Sequence, residues 1–599
     1  MLTRIFTFVL LVTSPAAPAF ATDLLFRNAR VFDGTRVLEG TDVLVHDGRI
    51  ARVAKGVAVP AGAGVIDATG KTLLPGLIDA HTHAYGEALE QALMFGVTTE
   101  LDQFTDAGMA QAMRLQQKAG NVATRADLFS AGTLVTAPKG HGTEYGMPIP
   151  TISAPEEAQA FVDARIAEGS DWIKIVYDDG KTYGMDIPTI GKETMRAVVA
   201  AAHKRGKLAV VHIGTLAGAR DAIDVGADGI VHLFVDKDPD PELGRFLAQH
   251  KAFAIPTLVV LKSITGVGGG ATLVKDARLD PYLDVATRAN LQASFPRQPG
   301  APEVHYAAAE KSVRELLAAN VPILAGSDAP NPGTAHGAAL HRELELLVGA
   351  GLTPMQALSA ATSVPAKAFR IADRGRIANG LRADLVLVDG DPTKDITTTR
   401  AIAGVWKGGV AVDRAKYAKT VADARAVSAS APRGLDAPTL SDFESGSPTA
   451  SFGTIWIPSA DVIAGGKSTG DVKIVDGGAA GTSKSLAVHG IIDGSLAWAW
   501  YGAMWSPTDV PMKPANLSAK KTLTFQAKGD GKRVRVLIFA QSKGMIPTVQ
   551  TFTAGPEWEA HEIPWTAFGI DGSDVMAIIF AGGPTPGEFN FQVDEIALK

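Results

Sequence analysis

Apolar and polar positions along this chain follow two different periods, and the change of period marks its divisions. Over residues 24–66 short alternating runs break at Asp33-Gly34 and Asp47-Gly48, turn dipeptides that join antiparallel strands. The same texture returns in ADLVLVDGDP (residues 383–392) and AGVWKGGVAV (residues 403–412). Two separated β segments of this kind predict a small composite β-sandwich assembled from both ends of one region. Between them lie eight apolar runs, at residues 76–83, 96–104, 126–132, 171–177, 208–213, 229–234, 252–259 and 321–328. The intervening stretches, such as 155–168, 192–205 and 302–320, are Ala-rich with helical spacing of their apolar positions. Eight strand–helix units in roughly 250 residues predict an α/β fold of the (β/α)8 TIM-barrel type. A doubly wound open sheet has the same alternation and competes on strand count alone.

Past Tyr417 the segment VADARAVSASAPRGLDAPTL, rich in Ala, Ser and Pro, reads as a linker. Beyond residue 440 alternation with a strand period takes over, in LTFQAKG and RVRVLIFA, and six of the eight Trp gather there. That predicts an all-β module, a sandwich or jelly roll. The expected layout is a signal peptide over 1–21, a composite β-sandwich from 22–74 and 376–417, and a TIM barrel over 75–375. A linker over 418–440 and a jelly-roll-like module over 441–599 complete it.

Composition removes several chemistries. The 599 residues include no cysteine, which excludes disulfides, thiolate metal sites and thiol nucleophiles. Any metal must sit on nitrogen and oxygen. A net charge of −6 gives no electrostatic reason to bind nucleic acid. The opening residues MLTRIFTFVLLVTSPAAPAFA combine Arg4, a short apolar core and an Ala-Phe-Ala ending, the pattern of a signal peptide cut after Ala21. The expected location is periplasmic or secreted, and no later stretch is apolar enough to span a membrane.

The chemistry sits where the apolar runs end. GLIDAHTH closes on His81 and His83, whose spacing puts both imidazoles on one face of a strand. Lys174 lies on DWIKIVYDD, with Trp172 and Val176 on its own face and Ile173 and Ile175 on the other. LAVVHIG carries His212, DGIVHLF carries His232 and VPILAGSD ends in Asp328. A lone histidine at a strand end is usually an ordinary core or rim residue. Six such residues at the C-terminal ends of five runs, where barrels place their active sites, point to a metal centre.

This pattern resembles the binuclear metal-dependent branch of the amidohydrolase superfamily, including its prolidase-like and imidazolonepropionase-related members. The likeness covers residues 24–417 and includes the VLVDGDP…VWKGG ending. It implies that His81 and His83 hold the more buried ion and His212 and His232 the more exposed one. It further implies that Lys174 is carboxylated and bridges both ions, and that Asp328 binds the first and shuttles a proton. All six positions are present. Two divalent ions, most simply zinc, would lower the pKa of a shared water towards ~7 and produce hydroxide at neutral pH. A lysine beside two cations is a poor ligand as ammonium, whereas the neutral amine can add carbon dioxide and become an anionic two-oxygen bridge. His141, in the loop APKGHGTEYGMP, resembles the substrate-facing loop histidine of prolidase-like relatives. Tyr177 is expected to donate to the tetrahedral oxyanion, provided the strand has ended before it. Asp178, Asp179 and His336 are further specificity candidates at the mouth.

The C-terminal module, opening SDFESG and closing FNFQVDEIAL, resembles the complex I intermediate-associated protein family and related carbohydrate-binding jelly rolls. A carbohydrate or cell-surface ligand would follow from that likeness. Trp498, Trp500 and Trp505 are candidates for a ligand groove, with core packing the expected role of the first two. Asp442, Glu444 and Asp594 are candidates for a calcium site. The expected activity is hydrolysis of C–N bonds in small N-acyl amino acids or dipeptides. Lactones, carbamates, organophosphates and cyclic amides are alternative substrates of the same machinery. A mononuclear deaminase is disfavoured by Lys174, and a binding protein with a structural metal by Asp328.

Overall fold

Seven of the eight apolar runs are parallel strands in the computed structural model. The structure describes residues 23–118, 123–143, 149–266, 268–295, 300–429 and 439–599, the last stretch without 452–453, 462–465, 480, 495, 497, 509–511 and 545–546. The expected signal peptide and residues 430–438 of the expected linker lie outside the described residues.

Leu77–Thr82, Val97–Asp102 and Asp127–Ser130 pair in one parallel block. Ile173–Tyr177, Ala209–Ile213, Gly229–Val231 and Phe253–Ile255 pair in a second. Single bridges join the blocks into a ring: Val135 to Ile175, Ala254 to Ile323 and Ala329 to Thr82. The eighth run therefore closes the barrel by bridges and not by a regular strand. Its Pro322 has no N–H to give a ladder, and the backbone turns left-handed at Asp328, φ 56°. The barrel excludes the open-sheet alternative.

Helices pack outside this ring because their apolar residues fall on one stripe. In Lys192–Lys204 the buried Met195, Val198, Val199 and Ala202 recur at three- and four-residue steps. Ala158–Ala167 and Tyr306–Ala318 lie inside the stretches expected to be helical. Trp172 joins Ile78, Val210, Val231 and Leu324 in the barrel interior, while Ile173 and Ile175 join the helical layer. The predicted alternation around Lys174 is thus realised.

The flanking β segments form one branching eight-stranded sheet. Leu24–Phe32 pairs with Val37–His46 and with Lys71–Pro75, and Lys71–Pro75 pairs with Leu385–Asp389. Phe26, Leu73, Leu385 and Trp406 share its core. Arg414–Ala429 is a helix, so ordered structure runs into the segment whose composition suggests a linker.

The C-terminal region consists of antiparallel sheets that form a sandwich around Trp456, Trp505, Phe580 and Phe591. Trp505 is in that core and lines no groove. Trp500 is buried on an outer face with Leu537 and Ile579, and Trp498, 38% exposed, stacks on it at 5.2 Å. Trp498 is therefore outside the sandwich core, packed on Trp500 and partly exposed. The carboxylates offered as calcium candidates are engaged by protein donors, Asp442 by the Glu444 N–H at 3.2 Å. Asp594 accepts from the Ala479 N–H and the Thr482 hydroxyl, and Glu444 from Ser483 and Lys484 N–H groups, so protein donors occupy these oxygens. No helix among the described residues is long and apolar enough to cross a membrane.

Candidate metal centre

The barrel brings His81, His83, Lys174, His212, His232 and Asp328 to one buried place at the C-terminal ends of the strands. Ring centroids step from His83 to His81 at 5.3 Å, to His232 at 4.8 Å and on to His212 at 4.5 Å. Ligand atoms of His81, His232 and Asp328 lie within 4.8 Å of one another, the one such group among the described residues. Gly326 on the eighth run permits this closeness, because a Cβ there would meet His81 Cβ at 2.8 Å.

Hydrogen bonds outside the group decide which nitrogen faces in. His83 Nδ1 lies 3.2 Å from the Phe104 carbonyl, which can only accept, so Nδ1 carries the proton and Nε2 keeps its lone pair. His212 Nε2 donates to the Asp178 carboxylate at 3.4 Å, leaving Nδ1 for the group. His232 Nδ1 lies 2.6 Å from the Thr257 hydroxyl, whose own hydrogen goes to the Pro256 carbonyl at 2.8 Å. The hydroxyl must then accept, and His232 Nε2 is left with its lone pair. Three imidazoles are thereby fixed by neighbours in the tautomer a metal needs.

His232 and Asp328 reach the site through left-handed backbone, φ 67° and 56°, as does Thr257 at 49°. Each such position costs about 1–3 kcal/mol and marks a constraint beyond folding. Burial pushes His81 down to about 3 and His212 to about 4, so both rings are neutral at neutral pH. Burial also lowers Lys174 to about 7 against the pull of Asp328 and Asp102. For Asp328 burial raises the pKa, but His81 and His83 outweigh it and hold the carboxyl well below its usual range.

These residues fit divalent ions. Asp328 Oδ1 approaches His81 Nε2 at 3.2 Å and His83 Nε2 at 3.1 Å. The approach to His81 lacks hydrogen-bond alignment, so Asp328 Oδ1 and both His81 nitrogens are buried without a partner. Lone pairs gathered so closely in a buried site are what a divalent cation would bind.

Around the group opens a cavity of about 290 Å³ that also takes in His141, Asp178 and Tyr183. The His141 ring stands 5.1 Å from that of His212, which puts the expected loop histidine at the site. Tyr177 is not there. The strand Ile173–Tyr177 runs through it, its side chain points outward, and its hydroxyl meets Asp221 at 3.2 Å. Tyr183 takes the cavity position instead, on a short helical turn held between the left-handed Gly180 and Gly184. The spacing of the two glycines was its signal in the sequence. Asp179 pairs with Lys181 outside the cavity, and His336 is buried against Glu100 at 2.9 Å, so neither is a mouth residue. Phe104 and Thr257 have no motif that would single them out.

Comparison with known proteins gives the family and the fold. The model of the Amidohydrolase family matches residues 72–412, more than half of the chain. The imidazolonepropionase of Anaeromyxobacter dehalogenans is 30% identical over 401 residues, 61% of this chain and 89% of that protein. The imidazolonepropionase of Deinococcus radiodurans is 25% identical over 414 residues, 62% of this chain and 92% of that protein. In fold, a Xaa-Pro dipeptidase solved with methionine in its active site superposes with a TM-score of 0.52 at 24% identity, over 65% of this chain and 99% of that chain.

Proposed function

This chain belongs to the amidohydrolase family and is a metal-dependent hydrolase of C–N bonds; we propose that it works with two divalent ions, most simply zinc, on a small acyl compound. His81, His83, Lys174, His212, His232 and Asp328 would hold the ions. The observation that carries this reading is the fixed tautomer of three imidazoles, each with its lone pair turned to one buried place. Bound there, such ions would lower the pKa of a water towards ~7 and polarise the scissile carbonyl.

The chain's own residues do the rest. Lys174, neutral in appreciable part near pH 7, adds carbon dioxide: its nitrogen forms a bond to the carbon, a proton leaves to solvent, and an anionic two-oxygen ligand results. Asp328, ionised in this site, takes a proton from the attacking water and returns it to the departing nitrogen. The Tyr183 hydroxyl donates to the carbonyl oxygen as charge builds there, the role expected of Tyr177. His141 orients the substrate from the loop beside His212.

Lys174→Ala tests the binuclear reading. Metal content by elemental analysis is expected to fall from about two ions per chain to one or none. Hydrolysis is expected to vanish across a panel of dipeptides, N-acyl amino acids, cyclic amides and lactones. A variant with unchanged metal content and rate overturns it.

A further inference from the structure

Asp328 stands where the barrel is closed by bridges, and the chain leaves it left-handed into the loop 328–334. The start of that loop is stitched to the first strand. The Asp328 N–H donates to the His81 carbonyl and the His83 N–H to the Ala329 carbonyl, both at 2.8 Å. From Pro330 onward the hold comes from Asn290, on the helix Val285–Gln292. Its Nδ2 donates to the carbonyls of Pro330 at 2.8 Å, Asn331 at 3.1 Å and Thr334 at 2.9 Å. Its main-chain carbonyl accepts from the Gly333 N–H at 2.7 Å. The Gly270 N–H takes the Gly333 carbonyl at 2.8 Å, an approach that a Cβ on Gly270 would block.

The helix that carries Asn290 is itself anchored. Asp284 caps it through the Thr287 N–H at 2.7 Å, and the Thr287 hydroxyl accepts from Gln91 Nε2 at 2.6 Å. Leu291 is buried in one cluster with Leu93, Met94 and Ala338. The loop passes this hold on to Asp328. Asn331 Nδ2 donates to the Asp328 carbonyl at 3.1 Å, and the Thr334 hydroxyl donates to the Asn331 carbonyl at 2.7 Å. Asn331 also lines the cavity. A carboxylate that serves both the attacking water and the departing nitrogen tolerates little drift, since a misplacement of ~1 Å costs a factor of about 100.

We propose that Asn290 is a positioning residue for the reaction, holding the loop 328–334 so that the Asp328 carboxylate stays aimed for proton transfer. This rests on the hydrolase reading above and adds to it a residue that acts through the loop.

Asn290→Asp tests this in the full chain, because it keeps the side chain's size and the main-chain bond to Gly333 but turns an acceptor towards three carbonyls. The first readout needs neither metal nor activity. Hydrogen exchange on the metal-free chain, read by mass spectrometry, is expected to quicken about tenfold or more over 328–334 and to stay unchanged over 209–213. The second uses the zinc-loaded chain and an amide that the parent hydrolyses, taken from the panel above, beside the 4-nitrophenyl ester of the same acyl group. The ester's leaving group departs without a proton. The kcat for the amide is expected to fall about 30–100-fold and that for the ester less than about fivefold, with KM and zinc content close to the parent's. Asn290→Ala carries the same expectations where the Asp variant does not fold. Unchanged exchange over 328–334, or equal losses on amide and ester, overturns the role of Asn290 and leaves the hydrolase standing. Hydrolysis of nothing in the panel by the zinc-loaded parent takes both down.

Discussion

Thr257 is a β-branched residue at φ 49°, a conformation such residues avoid, and its hydroxyl explains why it stays there. The hydroxyl gives its hydrogen to Pro256 and accepts from His232, so one oxygen sets the tautomer of a ligand. Thr257→Val preserves the branched shape and removes that acceptor. Metal affinity is expected to fall about 10–100-fold, read by competition with a chromogenic chelator, while the circular dichroism spectrum is unchanged. Retention of metal at the original affinity would show that the tautomer is set by something else. The ligands themselves were legible in the sequence, because polar residues at the ends of apolar runs stand out. The residues that orient them were not. Thr257 is an ordinary residue inside an apolar run, and Phe104 acts through a backbone carbonyl that every residue possesses.

At the scale of elements, the same choice leaves the helix Leu258–Ile264 without a cap of its own, since the Thr257 side chain is engaged elsewhere. Glu343, from the helix Ala338–Gly349, supplies the missing acceptor and takes the Val259 N–H at 2.8 Å. Burial pushes this carboxyl up to about 8, so it is mostly protonated at neutral pH in the folded chain. A folded pKa raised above the unfolded 4.5 contributes full stability below 4.5 and loses it as the pH rises to about 8. Glu343→Gln keeps an acceptor without the ionisation. It is expected to melt like the parent at pH 4.5 and progressively higher than the parent up to pH 8.5, a gap of ~1.4 kcal/mol per pKa unit relieved. A constant difference in melting temperature across that range would refute the assignment. Sequence periodicity located the barrel strands and helices, and its failures were local. It placed Tyr177 by asking whether a strand had ended, which depends on pairing: Tyr177 is held in register opposite Ile213. His336 read as a loop residue because its partner Glu100 is remote in sequence and met only after closure.

For the whole molecule, the decisive contact is a buried ion cluster that fastens the branching sheet to the barrel. Asp127, on a barrel strand, takes Lys407 from the sheet together with Arg374 at 2.6 Å and Arg382 at 3.0 Å. Burial raises the Asp127 pKa, but the three cations outweigh that and hold it below the usual value. Its contribution is therefore intact above the ordinary 3.8 and is lost as the pH falls through the lower folded value. Lys407 is lowered by burial despite this partner, which shows how little else solvates it. Asp127→Asn leaves Lys407 buried without the carboxylate it pairs with, while Arg374 keeps Asp373 at 2.9 Å, and a loss of about 3–5 kcal/mol is expected. The sandwich beyond residue 439 has a core built from its own residues alone, from Leu440 to Leu598. Calorimetry should then resolve more than one transition. Asp127→Asn should lower the one that carries the bound metal and leave the sandwich transition in place. A uniform shift of all transitions would mean that the sandwich draws its stability from the barrel, and that the chain folds as one cooperative unit.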